Sequence, residues 1–165
     1  MLRTIEDFVK VWEEESGMTL KLFRNLTAAS LAQKVTPEGR SLGKLAWHLT
    51  TSLHMLSEAG LPVDAPKDDM PIPGKVNDLI AAYEKGTASV RDQVKKHWTD
   101  AALRDIVSMY GEEWAKGQVL WATLLHQAHH RGQMTVLMRQ AGLKVPGIYG
   151  PAREEWAAMN LPPQE

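Results

Sequence analysis

Six histidines and no cysteine stand among the 165 residues, so imidazole and carboxylate are the metal-binding and proton-transferring groups on offer. Disulfides, thiolate metal sites and a cysteine nucleophile are excluded together. The densest cluster is His126-Gln127-Ala128-His129-His130. Residues four apart on a helix share one face about one turn apart, so His126 and His130 can turn two ring nitrogens toward one ion. His129 falls about 60° to the other side of His126, while Gln133 and Val119 share the face of the pair. A third candidate is His48, in Leu45-Ala46-Trp47-His48-Leu49. Its apolar surroundings point it toward a core, where an imidazole without a partner is costly. Three neutral imidazoles from two helices would hold a divalent ion and leave coordination positions open for water or substrate. The alternative is a histidine-rich helix whose rings pack or hydrate like other polar groups, and a spacing of four does not by itself decide the matter. His54, on another face, and His97, at a helix end, read as surface or structural residues.

The elements that must position these rings follow from apolar periodicity. Thr4 caps a first helix in which Phe8, Val11, Trp12, Met18, Leu22, Phe23 and Leu26 recur at helical spacing, ending near Leu31. Ser41 caps a second helix that carries His48 and stops at Ala59-Gly60-Leu61-Pro62. Proline and glycine between Pro62 and Gly74 make a crossover loop. Val76, Leu79, Ile80, Tyr83, Val90 and Val94 mark a third helix, followed by a short turn capped at Thr99-Asp100. Ile106 to Tyr110 reads as extended, up to Gly111. A fourth helix runs from Lys116-Gly117 to Gly142, which ends it in the C′ position. Its apolar residues lie nearly all round, which predicts the most buried helix of the set. With no convincing sheet, the fold class is all-α, a four-helix bundle with one long crossover loop. Residues 1–145 form the bundle with the histidine site, and residues 146–165 a tail that packs on it.

Net charge is near zero, with 19 Lys plus Arg against 20 Asp plus Glu. That balance speaks against a phosphate-backbone partner, so no nucleic acid is expected. No membrane span or signal-like core is visible, and a soluble cytoplasmic protein is expected. Trp47 and Trp121 read as core, and Met18, Met55, Met134 and Met138 as core fillers. Trp156 would fold over the mouth of the site or anchor the tail. Arg131, on the far side of the fourth helix from His126, suits an ion pair or a tail contact. Gly132 would admit a neighbouring backbone. Glu13-Glu14-Glu15 reads as a solvated face.

The arrangement resembles the DinB/YfiT-like family of small metal-binding bundles. The resemblance rests on Ser41-Leu42-Gly43-Lys44-Leu45-Ala46-Trp47-His48-Leu49, on His126-Gln127-Ala128-His129-His130-Arg131-Gly132-Gln133, and on Gly142-Leu143-Lys144-Val145-Pro146 with Tyr149-Gly150-Pro151. It implies that His48, His126 and His130 bind the metal, zinc or nickel, and that His129 is a neighbour rather than a ligand. It further implies a metal-dependent transferase using a low-molecular-weight thiol cosubstrate and a small-molecule substrate. A metal-dependent hydrolase, or a non-catalytic stress-response binding protein with a structural metal, are the other readings. It also implies a homodimer.

Overall fold

The computed structural model describes residues 2–162; Met1 and residues 163–165, within the ranges expected for bundle and tail, lie outside the described residues. Four α-helices dominate: α1 (Ile5–Phe23), α2 (Leu42–Thr51), α3 (Val76–His97) and α4 (Lys116–Gln140). α1 packs on α3 and α4, and α2 packs on the same two, so the order around the bundle is α1, α3, α2, α4. Caps define the ends. Thr4 accepts from the Asp7 amide and Asp7 answers to the Thr4 amide, a capping box, while Ser41 accepts from the Lys44 amide. α4 ends as expected: Gly142 has φ +72, its amide reaches Arg139 O, and the Leu143 amide reaches Met138 O.

Several boundaries move. α1 stops at Phe23 rather than near Leu31, because side chains offer the backbone other partners. Asn25 donates back to Lys21 O, and the Thr27 and Ser30 amides each donate to the other's hydroxyl, which starts a 3-10 turn at Ala29–Ala32. The second helix tightens after Thr51 into a 3-10 segment, Ser52–Ser57, where Thr50, Thr51 and Ser52 all bond back to carbonyls three or four residues earlier. The segment expected to be extended is the first strand of a hairpin, β1 (Ile106–Met109) with β2 (Glu112–Ala115), a small sheet that periodicity did not reveal. Its turn, Tyr110-Gly111, has φ of +55 and +81, the left-handed pair that a two-residue hairpin requires.

Two apolar clusters fill the bundle, one around Phe8, Trp12, Leu53, Val90 and Leu120, the other around Phe23, Leu45, Trp47, Tyr83 and Leu137. Between them lies a polar layer. Tyr83 donates to Gln127 Oε1 at 2.8 Å, and Gln127 Nε2 donates to Leu49 O at 3.0 Å. Burial raises the Tyr83 pKa well above its ordinary value, so the phenol stays a donor. This chain fixes α4 against α2 at residues adjacent to His126 and His48. Gly43 serves a different contact, the seat of the Ala29–Ala32 turn on α2: a Cβ there would stand 3.1 Å from Leu31 O. Gly132, by contrast, is exposed with nothing near it, so no backbone approaches at that point.

α4 is not the most buried helix. Trp121, expected in the core, is 48% exposed, and Leu125 is 53% exposed one turn later. Apolar residues all round a helix leave its period without a preferred side, and the bundle took the side carrying Val119, Leu120, Leu124, Met134 and Met138. Glu15 also departs from the solvated face expected of it, since it turns inward to pair with the buried Arg131. No helix among the described residues is long and apolar enough to cross a membrane.

Candidate metal centre

His48 reaches the seam between α2 and α4 from mid-α2, and His126 and His130 reach it from successive turns of α4. Their Nε2 atoms converge: His48 to His126 is 3.3 Å, and His126 to His130 is 3.1 Å. The three rings offer ligand atoms all within 4.8 Å of one another, a group able to hold a metal ion. Among the described residues no Asp, Glu or further His joins that group. The spacing has the scale of a ligand set. Zn–N bonds of about 2.0–2.1 Å in tetrahedral geometry put neighbouring nitrogens about 3.3 Å apart.

Hydrogen bonding among the rings cannot account for this geometry. His130 Nδ1 lies 2.7 Å from Gln133 Oε1, which calls for a proton on Nδ1 and leaves Nε2 of the neutral ring a lone pair. His126 Nε2 can donate to that lone pair, but it then has nothing left to offer His48. One edge of the triangle is satisfied and another is not, whereas a cation at the centre would satisfy all three. The tautomers are assigned from these contacts.

Charge works in the same direction. Burial lowers the His48, His126 and His130 pKa values, His126 to about 4, and neighbouring histidines lower them further. The rings are therefore neutral at pH 7 and their lone pairs are free to bind. Gln133 also donates to His129 Nε2 at 3.1 Å, so the exposed His129 steadies the amide that orients His130.

The crossover, residues 62–75, is held over α2. Trp47 Nε1 donates to Met70 O at 3.1 Å and Thr51 Oγ1 to Asp68 Oδ1 at 3.0 Å. Asp68 thereby stands 3.9 Å from His48 Nδ1. Its pKa is lowered, first by the Thr51 hydrogen bond and then by Lys44, so it is ionised. A cavity of about 380 Å³ opens beside the triad, with His48, His126, Thr51, Asp68, Glu58 and Tyr110 among its walls. His54 lines it too, closer to the chemistry than the expected surface role; His97 is exposed. Trp47 is buried as expected. The tail packs elsewhere. Tyr149 joins Glu15 and Arg131, Glu154 pairs with Arg139, and among the described residues no tail residue, Trp156 included, lines this cavity.

Asp68, Tyr110 and Gln133 were not assigned from sequence. Gln133 had a signal, its place on the His126 and His130 face. Asp68 and Tyr110 had little, since a loop and a hairpin turn bring them in from a distance.

A model of the DinB family matches residues 1–165. YrdA of Bacillus subtilis strain 168, an uncharacterised protein, is 41% identical over 162 residues, which are 98% of this chain and 97% of YrdA. The crystal structure of a DinB-like protein from Bacillus cereus ATCC 10987 is similar at 39% identity with a TM-score of 0.86, covering 90% of this chain and 100% of that one. A second DinB-like structure, YjoA of Bacillus subtilis, is 18% identical with a TM-score of 0.66 over 86% of this chain and 97% of its own, and shares the fold. Matched by the family model along its whole length, and by a 41%-identical relative nearly end to end, the chain belongs to the DinB family.

Proposed function

We propose that His48, His126 and His130 hold one divalent ion, zinc or nickel, and that the protein is a metal-dependent transferase whose cosubstrate is a low-molecular-weight thiol. The observation that carries this reading is the meeting of three Nε2 atoms at the wall of a cavity, with no fourth protein ligand among the described residues. Three protein ligands leave a coordination position open, the pattern of catalytic rather than structural sites. When bound, the ion supplies Lewis acidity that lowers the pKa of a thiol or water beside it. The chain's own residues do the rest. Gln133 and His129 orient His130, Gln127 sets the register of α4 on α2, and Thr51 and Lys44 hold Asp68 at the cavity wall. Thiol binding to the cobalt-substituted protein tests the reading: sulfur coordination adds a charge-transfer absorption, and a spectrum indifferent to every small thiol argues against it. A hydrolase is the second reading, favoured by Asp68, an ionised carboxylate on the cavity wall able to accept a proton from water.

Gln133→Leu is expected to weaken divalent-metal affinity about 10–100-fold, the usual cost of losing a partner that orients a ligand. Competition with a chromophoric chelator measures it. Unchanged affinity would remove Gln133 from the site.

We also propose that the chain forms a homodimer. Trp121 and Leu125, one turn apart on α4 and each about half exposed, present an apolar strip suited to a second copy. Light scattering is expected to report twice 18.4 kDa at micromolar concentration, and Trp121→Glu to return the single mass. A wild-type species at 18.4 kDa would contradict this.

A further inference from the structure

Tyr110 holds the first position of the β1–β2 turn at φ +55, in the left-handed region that a bulky residue rarely enters. A Cβ crowds the following carbonyl there, which is why Asn, Asp or Gly usually fills that position of such a turn. Gly111, at φ +81, is the ordinary occupant of the second position. The fold itself gains little from a tyrosine here. Tyr110 is 66% exposed, and the partner of its hydroxyl among the described residues is the Met55 thioether at 3.8 Å, a weak acceptor. Its ring meets Trp114 edge-on with centroids 6.1 Å apart. Strain that the surrounding structure does not call for clusters where a side chain meets a ligand. What the turn does achieve is position. Tyr110 stands on the wall of the cavity of about 380 Å³ that His48 and His126 also line, a volume on the scale of a small-molecule site. On the same wall Thr51 is bonded to Asp68, Asp68 to Lys44, and Ser52 to Leu49 O. With those polar groups satisfied within the chain, the broad surfaces open to a ligand's carbon skeleton are the Met55 side chain and the Tyr110 ring.

We infer that Tyr110 is a specificity residue, held in a strained turn so that its ring packs against an aromatic group of a small molecule whose donor atom is at the triad. Aromatic rings meet in offset or edge-on contact, and the Met55 thioether suits the same group. The inference rests on the metal reading above and narrows its substrate class, whereas the strain at the turn does not depend on that reading.

The test compares wild type, Tyr110→Asn and Tyr110→Phe in two ways. Metal-free protein is unfolded by heat, and cobalt-substituted protein is titrated with two matched pairs of ligands. One pair is ethanethiol and phenylmethanethiol. The other is acetohydroxamate and benzohydroxamate, which bind divalent ions through oxygen whether or not thiols are the natural ligands. Tyr110→Asn is expected to unfold about 2–4 °C above wild type, since Asn tolerates the left-handed backbone, and Tyr110→Phe close to it. Wild type is expected to bind the phenyl member of each pair about tenfold tighter than its small partner, the scale of one aromatic contact. Tyr110→Phe should keep that preference. Tyr110→Asn should bring the members within about twofold by weakening the phenyl one alone. The variant that folds better would then bind worse, a split that a merely structural tyrosine does not give. A midpoint for Tyr110→Asn no higher than wild type would show that the ring is kept for the hairpin itself and overturn the inference. A phenyl preference absent from wild type, or one that survives Tyr110→Asn, would overturn it equally. Preference among hydroxamates with no thiol binding would sink the thiol reading and leave Tyr110 standing; thiols that bind without preference would do the reverse. Protein that takes up no cobalt overturns both.

Discussion

Glu15→Ala is expected to cost about 3–5 kcal/mol, a large part of the roughly 5–15 kcal/mol that holds a domain together. Its partner, Arg131, is 1% exposed, and Glu15 itself 14%. Arg131 Nη1 donates to Glu15 O at 2.9 Å and to Thr19 Oγ1 at 3.1 Å. Nη2 meets the Glu15 carboxylate and the Tyr149 hydroxyl, and Tyr149 donates to Glu15 Oε2 at 2.7 Å. Removing Glu15 leaves a guanidinium in the bundle without its counter-charge, which costs more than the pair contributes. Replacing both partners, as Glu15→Leu with Arg131→Met, is expected to cost less than the sum of the single changes, because no orphan charge remains. Urea denaturation decides it; a loss below about 1 kcal/mol for Glu15→Ala would place the pair among solvated ones.

The second large effect is stabilisation by the ion. Zinc at about a thousand times its dissociation constant is expected to stabilise the wild type by about 4 kcal/mol, a rise of about 8–16 °C in midpoint for a chain of this size. In His126→Ala the rise should vanish, and calorimetry with and without zinc reads it. Acid should erode the metal-free protein by the same chemistry. His126 titrates at about 4 in the folded chain against an ordinary 6.5. As pH falls below 6.5 the unfolded chain takes up a proton that the folded triad refuses, so stability is complete above that pH and drains away toward 4. Metal binding needs neutral rings, and burial holds all three below their ordinary pKa, so binding should persist below the pH at which a free imidazole would charge. Loss of binding already at about pH 6.5 would show that the rings are not desolvated as the geometry requires.

The local features of this fold were legible because they depend on neighbours in sequence. The spacing of His126 and His130, the caps at Thr4 and Ser41 and the stop at Gly142 are one-turn properties, and each stands in the structure where its residues put it. Arg131 also reads correctly as an ion pair and a tail contact. What was lost depends on distant chain. Asp68 and Tyr110 reach the cavity beside the triad from a loop and a hairpin turn, and no periodicity records where such segments will lie. Trp121 could not be oriented because α4 is apolar on several faces, so period alone gives no inside. Glu15 was hidden in a run of three acids, of which only the third finds a buried arginine.

The claim that His48, His126 and His130 form one metal site is tested most directly by elemental analysis of the protein and its histidine variants. One zinc or nickel ion per chain is expected in the wild type, and substoichiometric metal in His48→Ala, His126→Ala and His130→Ala. His54→Ala and His97→Ala should keep the wild-type content. Unchanged metal in His126→Ala would contradict the assignment, since its Nε2 is the atom that both other rings face.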